Sequence, residues 1–248
     1  MPAAWRGRSL RYGLIAAALS AATPAAAQSL TLDLGQGGVS ERALQIVALI
    51  TVLSLAPSIL VMVTCFTRIV VVLSLLRTAV GTQTAPPNSV ITALALFLTA
   101  FVMAPTFQAA YDQAIAPRLA GQIDDATAFQ RGVAPFRTFM LAHVREKDLA
   151  LFQGLSREPA PETPEQVSLR VLVPSFMISE LRRAFEIGFL LFVPFLVIDL
   201  VVASVLMSMG MMMLPPAIVS LPFKLIFFVL VDGWNLVAGS LVQSYGGG

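Results

Sequence analysis

Between Ala43 and Thr67 the chain runs for 25 residues without a charge. About 20 apolar residues suffice to cross the hydrocarbon core of a bilayer as a helix. Arg68 interrupts the run, "IVVVLSLL" continues it and Arg77 ends it, so the pattern fits a longer, tilted or bent helix. Val90 to Tyr111 is a second charge-free run, with Pro105 inside it. Between the two, "GTQTAPPNS" reads as a turn, with Asn88 or Ser89 as the cap of the next helix. The two runs are expected to pair as a hydrophobic helical hairpin over residues 43–111.

Charge confirms how little of the chain is suited to water. Only 12% of its 248 residues are charged, against about 25% in a soluble domain. Nineteen of the thirty charges fall between Asp112 and Glu186, which marks residues 112–186 as a polar section. Within it, a helix is expected from Pro135 to Phe152, with Phe136, Phe139, Met140, Val144 and Leu151 on one side. "SREPAPE" is a proline-rich linker. Thr163, Pro164 and Gln166 then read as a capping box that starts the next helix. Leu181, Phe185 and Phe189 are spaced four apart, so that helix is expected to feed into the following apolar segment.

Residues 187–248 make a second apolar hairpin of unusual composition. Pro194, Pro215, Pro216 and Pro222 interrupt it, and Asp199, Lys224 and Asp232 are its only charges. Broken helices at membrane depth are tolerated against protein or a water-filled cavity, not against lipid. This half is therefore expected to face partners.

The N-terminus reads as a secretory leader over residues 1–27. Arg6, Arg8 and Arg11 form a basic start, Tyr12 to Ala22 is an apolar run too short to span, and Ala25 and Ala27 supply an A-x-A cleavage site. An uncleaved anchor helix is the alternative. Cleavage leaves residues 28–42 as a short segment outside the cytoplasm, so the first span runs inward. Arg68 and Arg77 then lie toward the cytoplasm, as the positive-inside rule prefers, and the polar section is extracytoplasmic. The full chain carries a net charge of +2, and three of its basic residues are in the leader. The basic balance is thus a leader property and no argument for nucleic acid.

Chemistry-bearing motifs are scarce. There is no GxGxxG, P-loop, GxSxG or CxxC, and Cys65, the only cysteine, lies in an apolar run and reads as a small core residue. His143, the only histidine, has Glu146 nearby but no second histidine for a metal pair, and reads as a packing or surface residue. No catalytic group and no cofactor are expected. Asp199, Lys224 and Asp232 each place a charge in apolar surroundings, where it is normally paired or hydrated. An Asp199–Lys224 ion pair across the last hairpin is the structural reading, and a proton or ion path the functional one. An Asp199–Asp232 dyad of an intramembrane protease lacks any supporting flanking pattern.

Half of the ten methionines lie in "MSMGMMMLPP": Met207, Met209, Met211, Met212 and Met213. Gly210 and the prolines argue for a bend, which puts the cluster at a hairpin tip. Three readings fit. Methionine fills irregular core gaps. Thioethers ligate Cu(I), as in a copper transporter, although no Cys or His lies nearby. A ring of pliant apolar side chains could also close a pore, given several copies.

Three strings carry a resemblance: "TRIVVVLSLLRTAVGTQTAPPNSVITALALFLTAFVMAP", "PSFMISELRRAFEIGFLLFVPFLVIDLVVASVLMSMGMMMLPP" and "LPFKLIFFVLVDGWNL". Over about Ile59 to Leu241 the chain resembles the FliP family of flagellar export-gate proteins, which includes the related injectisome proteins. The resemblance implies an all-α membrane protein whose bent helical hairpins assemble into a ring around a pore. It implies five copies joined by FliR and several FliQ subunits, contact with other export-apparatus membrane proteins and with lipid, and passage of unfolded flagellar cargo across the bacterial inner membrane at the flagellar basal body. It places Met209, Met211, Met212 and Met213 in a pore gasket. Glu180, Arg182, Arg183 and Glu186, in "SELRRAFEIG", are then expected at contacts between subunits, and Lys224 suits such a contact as well as the internal pair.

Overall fold

A computed structural model describes residues 39–82, 84–159, 161–211 and 213–246. The leader, most of the 28–42 segment and Met212 lie outside the described residues. All regular structure among the described residues is helical. The chain divides into two units, Met1–Thr51 and Val52–Gly248. In the first, helix α1 (Val39–Val63) begins, and its apolar side chains Leu44, Val47 and Ile50 are exposed. The second holds the rest of α1 and every other element.

The long first run is two helices. It breaks at Thr64–Cys65, and α2 follows over Phe66–Val80. The Thr64 hydroxyl accepts from the Phe66 amide at 3.4 Å and satisfies a donor that the break frees. α2 is the centre of the fold. Ile69, Val72, Leu73, Leu76 and Val80 repeat at three- and four-residue steps and are buried. It pairs with α3 (Asn88–Ala110) as the hairpin partner. Asn88 does not cap α3, since Pro87 holds that position. Its side chain instead accepts from Arg77 at 2.6 Å, and Arg77 also donates to the Pro86 carbonyl at 3.2 Å. A tie across the hairpin mouth has displaced the local cap.

The α3 helix does not stop where the charges begin. A π-turn at Tyr111–Ile115 leads into α4 (Ala116–Leu119), giving 32 continuous residues from Asn88. The helix expected over Pro135–Phe152 is also recut. α5 spans Asp125–His143, with Pro135 inside it, and α6 spans Glu146–Ser156. Val144 and Arg145 between them are extended. A tertiary contact accounts for the break: Ser179 accepts from the Arg145 amide at 3.0 Å and donates to Asp148 at 2.6 Å. Periodicity within the segment cannot reveal a bond made to a residue 34 positions away.

Asp124 caps α5 by accepting from the Thr127 amide at 3.1 Å. Hydrogen bonds from Thr127, side chain first and then amide, hold the Asp124 carboxyl below its ordinary range. A lowered carboxylate contributes stability above its unfolded-state pKa of about 3.9, and that contribution is lost as pH falls through the lowered value. Protection of the first turn of α5 against amide exchange, taken relative to the intrinsic rate at each pH, is therefore expected to fall below about pH 4. Asn caps as well as Asp, so Asp124→Asn should preserve protection at neutral pH and flatten the acid dependence.

Thr163–Gln166 forms a single 3₁₀ turn over Pro164–Gln166 with no side-chain cap, so the capping-box expectation fails. Arg137 donates to the carbonyls of Glu165 and Val167 and holds this turn against α5. The long helix α7 begins three residues later and runs unbroken over Leu169–Ser208, through both Pro174 and Pro194. At 1.5 Å per residue it is about 60 Å long, twice a bilayer core. It packs most extensively on α2, where Gly188 lets the helices close. A Cβ there would lie 2.3 Å from Leu75 Cδ1. Close approach over small residues substitutes for a hydrophobic driving force between helices in lipid.

α8 (Pro216–Leu230) and α9 (Gly233–Gly246) are bent 61° at Val231–Asp232. Ala43–Val63, Asn88–Leu119 and Leu169–Ser208 are each long and apolar enough to cross a membrane, and the bent α8–α9 pair would make a fourth span. The chain is an all-α membrane protein.

Candidate functional site

The methionine segment closes α7 by a defined backbone geometry. The Gly210 amide donates to the Met207 carbonyl at 3.1 Å and the Met211 amide to the Leu206 carbonyl at 3.0 Å, the two bonds of a Schellman C-cap. Gly210 has φ +73°, the left-handed conformation this cap requires. Five residues on, Pro215 and Pro216 restart the chain as α8, with Pro216 at the first helical position, where a missing N–H costs nothing. Stop and start signals thus leave Met211–Leu214 as a tip between two apolar helices. Met213 is 98% exposed and Met211 39%, with Met207 and Met209 also exposed on the last turn of α7. These side chains do not fill this subunit's core. A Cβ at Gly210 would meet nothing within 4 Å. Gly210→Ala should therefore destabilise by backbone strain alone, about 1 kcal/mol, read as a lower unfolding midpoint with unchanged helix content.

Below the tip, the arms of this hairpin are tied together. Lys224 Nζ on α8 lies 2.7 Å from Asp199 Oδ2 on α7, and Ser220 donates to Asp199 Oδ1 at 2.5 Å. Lys224 also donates to the Ala79 carbonyl at 3.4 Å, in the last turn of α2. A cation there meets the negative end of the α2 dipole as well as a carboxylate. Lys224 is buried, which leaves it serving this chain's own helices. Asp232 is not part of the tie. It sits at the α8–α9 bend with φ +50° and accepts from Asn235 at 3.1 Å.

Glu180 is not a surface group. It is fully buried and forms a two-point pair with Arg68, which is 1% exposed. Arg68 Nε donates to Glu180 Oε2 at 2.9 Å and Nη2 donates to Oε1. Arg68 Nη1 donates to Ser244 at 3.1 Å, and the Tyr245 hydroxyl donates to Glu180. Both carboxylate oxygens are taken up within the chain, so no partner subunit is required to satisfy them. Arg182 and Glu186 differ: they pair with each other at 2.9 Å on an exposed face of α7. Arg183 lies between these environments, half-buried, with Nε unpartnered.

Sequence reasoning treated Arg68 as the interruption of a span and missed its role. The signal was present. A single arginine in an apolar run must find a counter-charge, and Glu180 follows Phe176 and precedes Ala184 on one buried stripe.

The FliP family profile matches residues 49–241. The chain is 63% identical over 242 residues to the flagellar biosynthetic protein FliP of Caulobacter vibrioides, covering 96% of this chain and 91% of that one. It is 53% identical to the protein of that name from Pectobacterium carotovorum, over 96% of this chain and 94% of the other. With the Bacillus subtilis protein it shares 53% identity, over 81% and 91%. Matches of this length run through the buried Arg68–Glu180 pair, the hairpin tie and the methionine tip alike, and the chain belongs to the FliP family of flagellar biosynthetic proteins.

Proposed function

We propose that this chain is the pore-forming subunit of the flagellar protein export gate. Several copies, five by the family resemblance, assemble with FliR and FliQ in the inner membrane at the flagellar basal body. Unfolded flagellar proteins pass through the centre. The methionine tips converge on the axis, where Met209, Met211, Met212 and Met213 close the channel at rest and yield to passing polypeptide. The gate performs no catalysis on its cargo.

One observation carries this reading. The chain builds a capped turn that holds an apolar side chain almost wholly in the open at Met213. Methionine suits a contact with many different sequences, being unbranched, polarisable and able to repack. The tie through Asp199, Lys224 and Ala79 supports the same reading, since a gasket needs its arms fixed while its tip stays soft.

Imaging of the complex purified after co-expression with the other gate components tests the proposal. The expected result is a ring of several copies with the Gly210–Leu214 turns around a central channel. Turns on the outer, lipid-facing rim would refute it.

A further inference from the structure

The buried Arg68–Glu180 pair is closed by the far end of α9. Ser244 and Tyr245 supply its remaining hydrogen bonds, and the Tyr245 ring lies against the Arg68 guanidinium, with Cζ 3.9 Å from the ring centre. Tyr245 also stacks on Phe139, with ring centres 5.9 Å apart, and lies 5.1 Å from His143. These contacts bring the end of α9 to α2, α5 and α7 at one point.

Helix α9, which delivers them, has the form of an arm. Its buried residues are Gly233, Val237 and Leu241, and Tyr245 continues the same four-residue step. Most of its other side chains are exposed, so a single stripe holds it down. Its near end is a bend with Asp232 in the left-handed region. Gly233 beside it accommodates the Phe228 ring, which a Cβ would meet at 2.2 Å. Its far end carries the two polar groups that reach the ion pair.

We propose that α9 is a latch, pivoting at Asp232–Gly233 and fastened by Ser244 and Tyr245 to the Arg68–Glu180 pair. Fastened, it keeps water from the pair and fixes the α1–α2 break at Thr64–Cys65, which lies one turn before Arg68. Released, it exposes the pair to hydration and frees that break to move. α2 and α7 keep their own direct contact in both states, where Gly188 closes on Leu75, although Val237 and Leu241 of α9 pack on the same core as Leu73, Leu76 and Ala184.

Amide hydrogen exchange on the full-length protein in detergent micelles tests this. Tyr245→Phe keeps the ring and removes the hydroxyl bond to the carboxylate. It should speed exchange over Leu241–Tyr245 roughly tenfold to a hundredfold, the range for a lost hydrogen bond to a charged group, while buried α2 and α7 amides stay unchanged. Ser244→Ala should act in the same direction and less strongly. Unchanged α9 exchange in both variants overturns the latch. So does acceleration of α2 and α7 together with α9, which would make α9 an inseparable part of the core.

Discussion

Replacing Met211, Met212 and Met213 together with alanine is expected to leave the export gate assembled and to make it conduct small ions at rest. The three substitutions remove most of each side chain but keep the backbone devices that shape the tip. Gly210 still provides the left-handed cap and Pro215–Pro216 still starts α8. The Asp199–Lys224–Ala79 tie lies outside the substituted stretch. Assembly should therefore survive, because Met213 is exposed and Met211 only partly covered, so little packing within the subunit is lost. What disappears is the pliant apolar material that would fill the axis. Current across planar bilayers containing the purified complex measures the effect directly. Baseline conductance equal to wild type in a demonstrably assembled variant would remove the gasket from the account. Leucine at the same three positions separates bulk from softness. It should restore closure yet slow export, since Leu is branched and repacks less readily than Met.

The second large effect belongs to Arg68 and Glu180. Arg68→Ala leaves a carboxylate at 0% exposure with its chief partner gone. Breaking a buried pair from one side typically costs about 3–5 kcal/mol, which for a chain of this size corresponds to a drop in unfolding midpoint on the order of 10 °C. Glu180→Ala should cost a similar amount by stranding the guanidinium. The double variant Arg68→Met, Glu180→Leu should be far less damaged than either single change, because the charges leave together and apolar volume replaces them. If the double variant instead loses the sum of the two single effects, the pair is not the unit described here. Thermal unfolding of the four proteins in one detergent decides between the outcomes.

How much of this was readable beforehand depended on how local the cause was. The methionine tip is legible because its signals are neighbours in sequence: a glycine that can take φ above zero, then two prolines that cannot continue a helix. The apolar runs likewise announced helices of spanning length. The α5–α6 break was not legible, because Ser179 causes it from another helix. The start of α7 was misplaced for a related reason. Thr163–Gln166 has the composition of a capping box, but Arg137 occupies the carbonyls on its far side and the turn stays 3₁₀. The buried pair was hidden by sequence separation, since its partners are 112 positions apart. Each misreading assigned a residue to its local neighbours when a distant helix had the stronger claim on it.

Convergence of the methionine tips on one axis is tested most directly by Met213→Cys in the assembled complex. Cys65 is wholly buried and leaves the new thiol as the reactive one. Mild oxidation, or a short thiol cross-linker, should then join neighbouring copies of this chain into covalent dimers on a non-reducing gel, because tips gathered around a narrow channel come within disulfide reach, about 7 Å between Cα atoms. Fully assembled complexes that carry the cysteine and yield only monomer would mean that the tips stand apart, and the pore-closing role would fall.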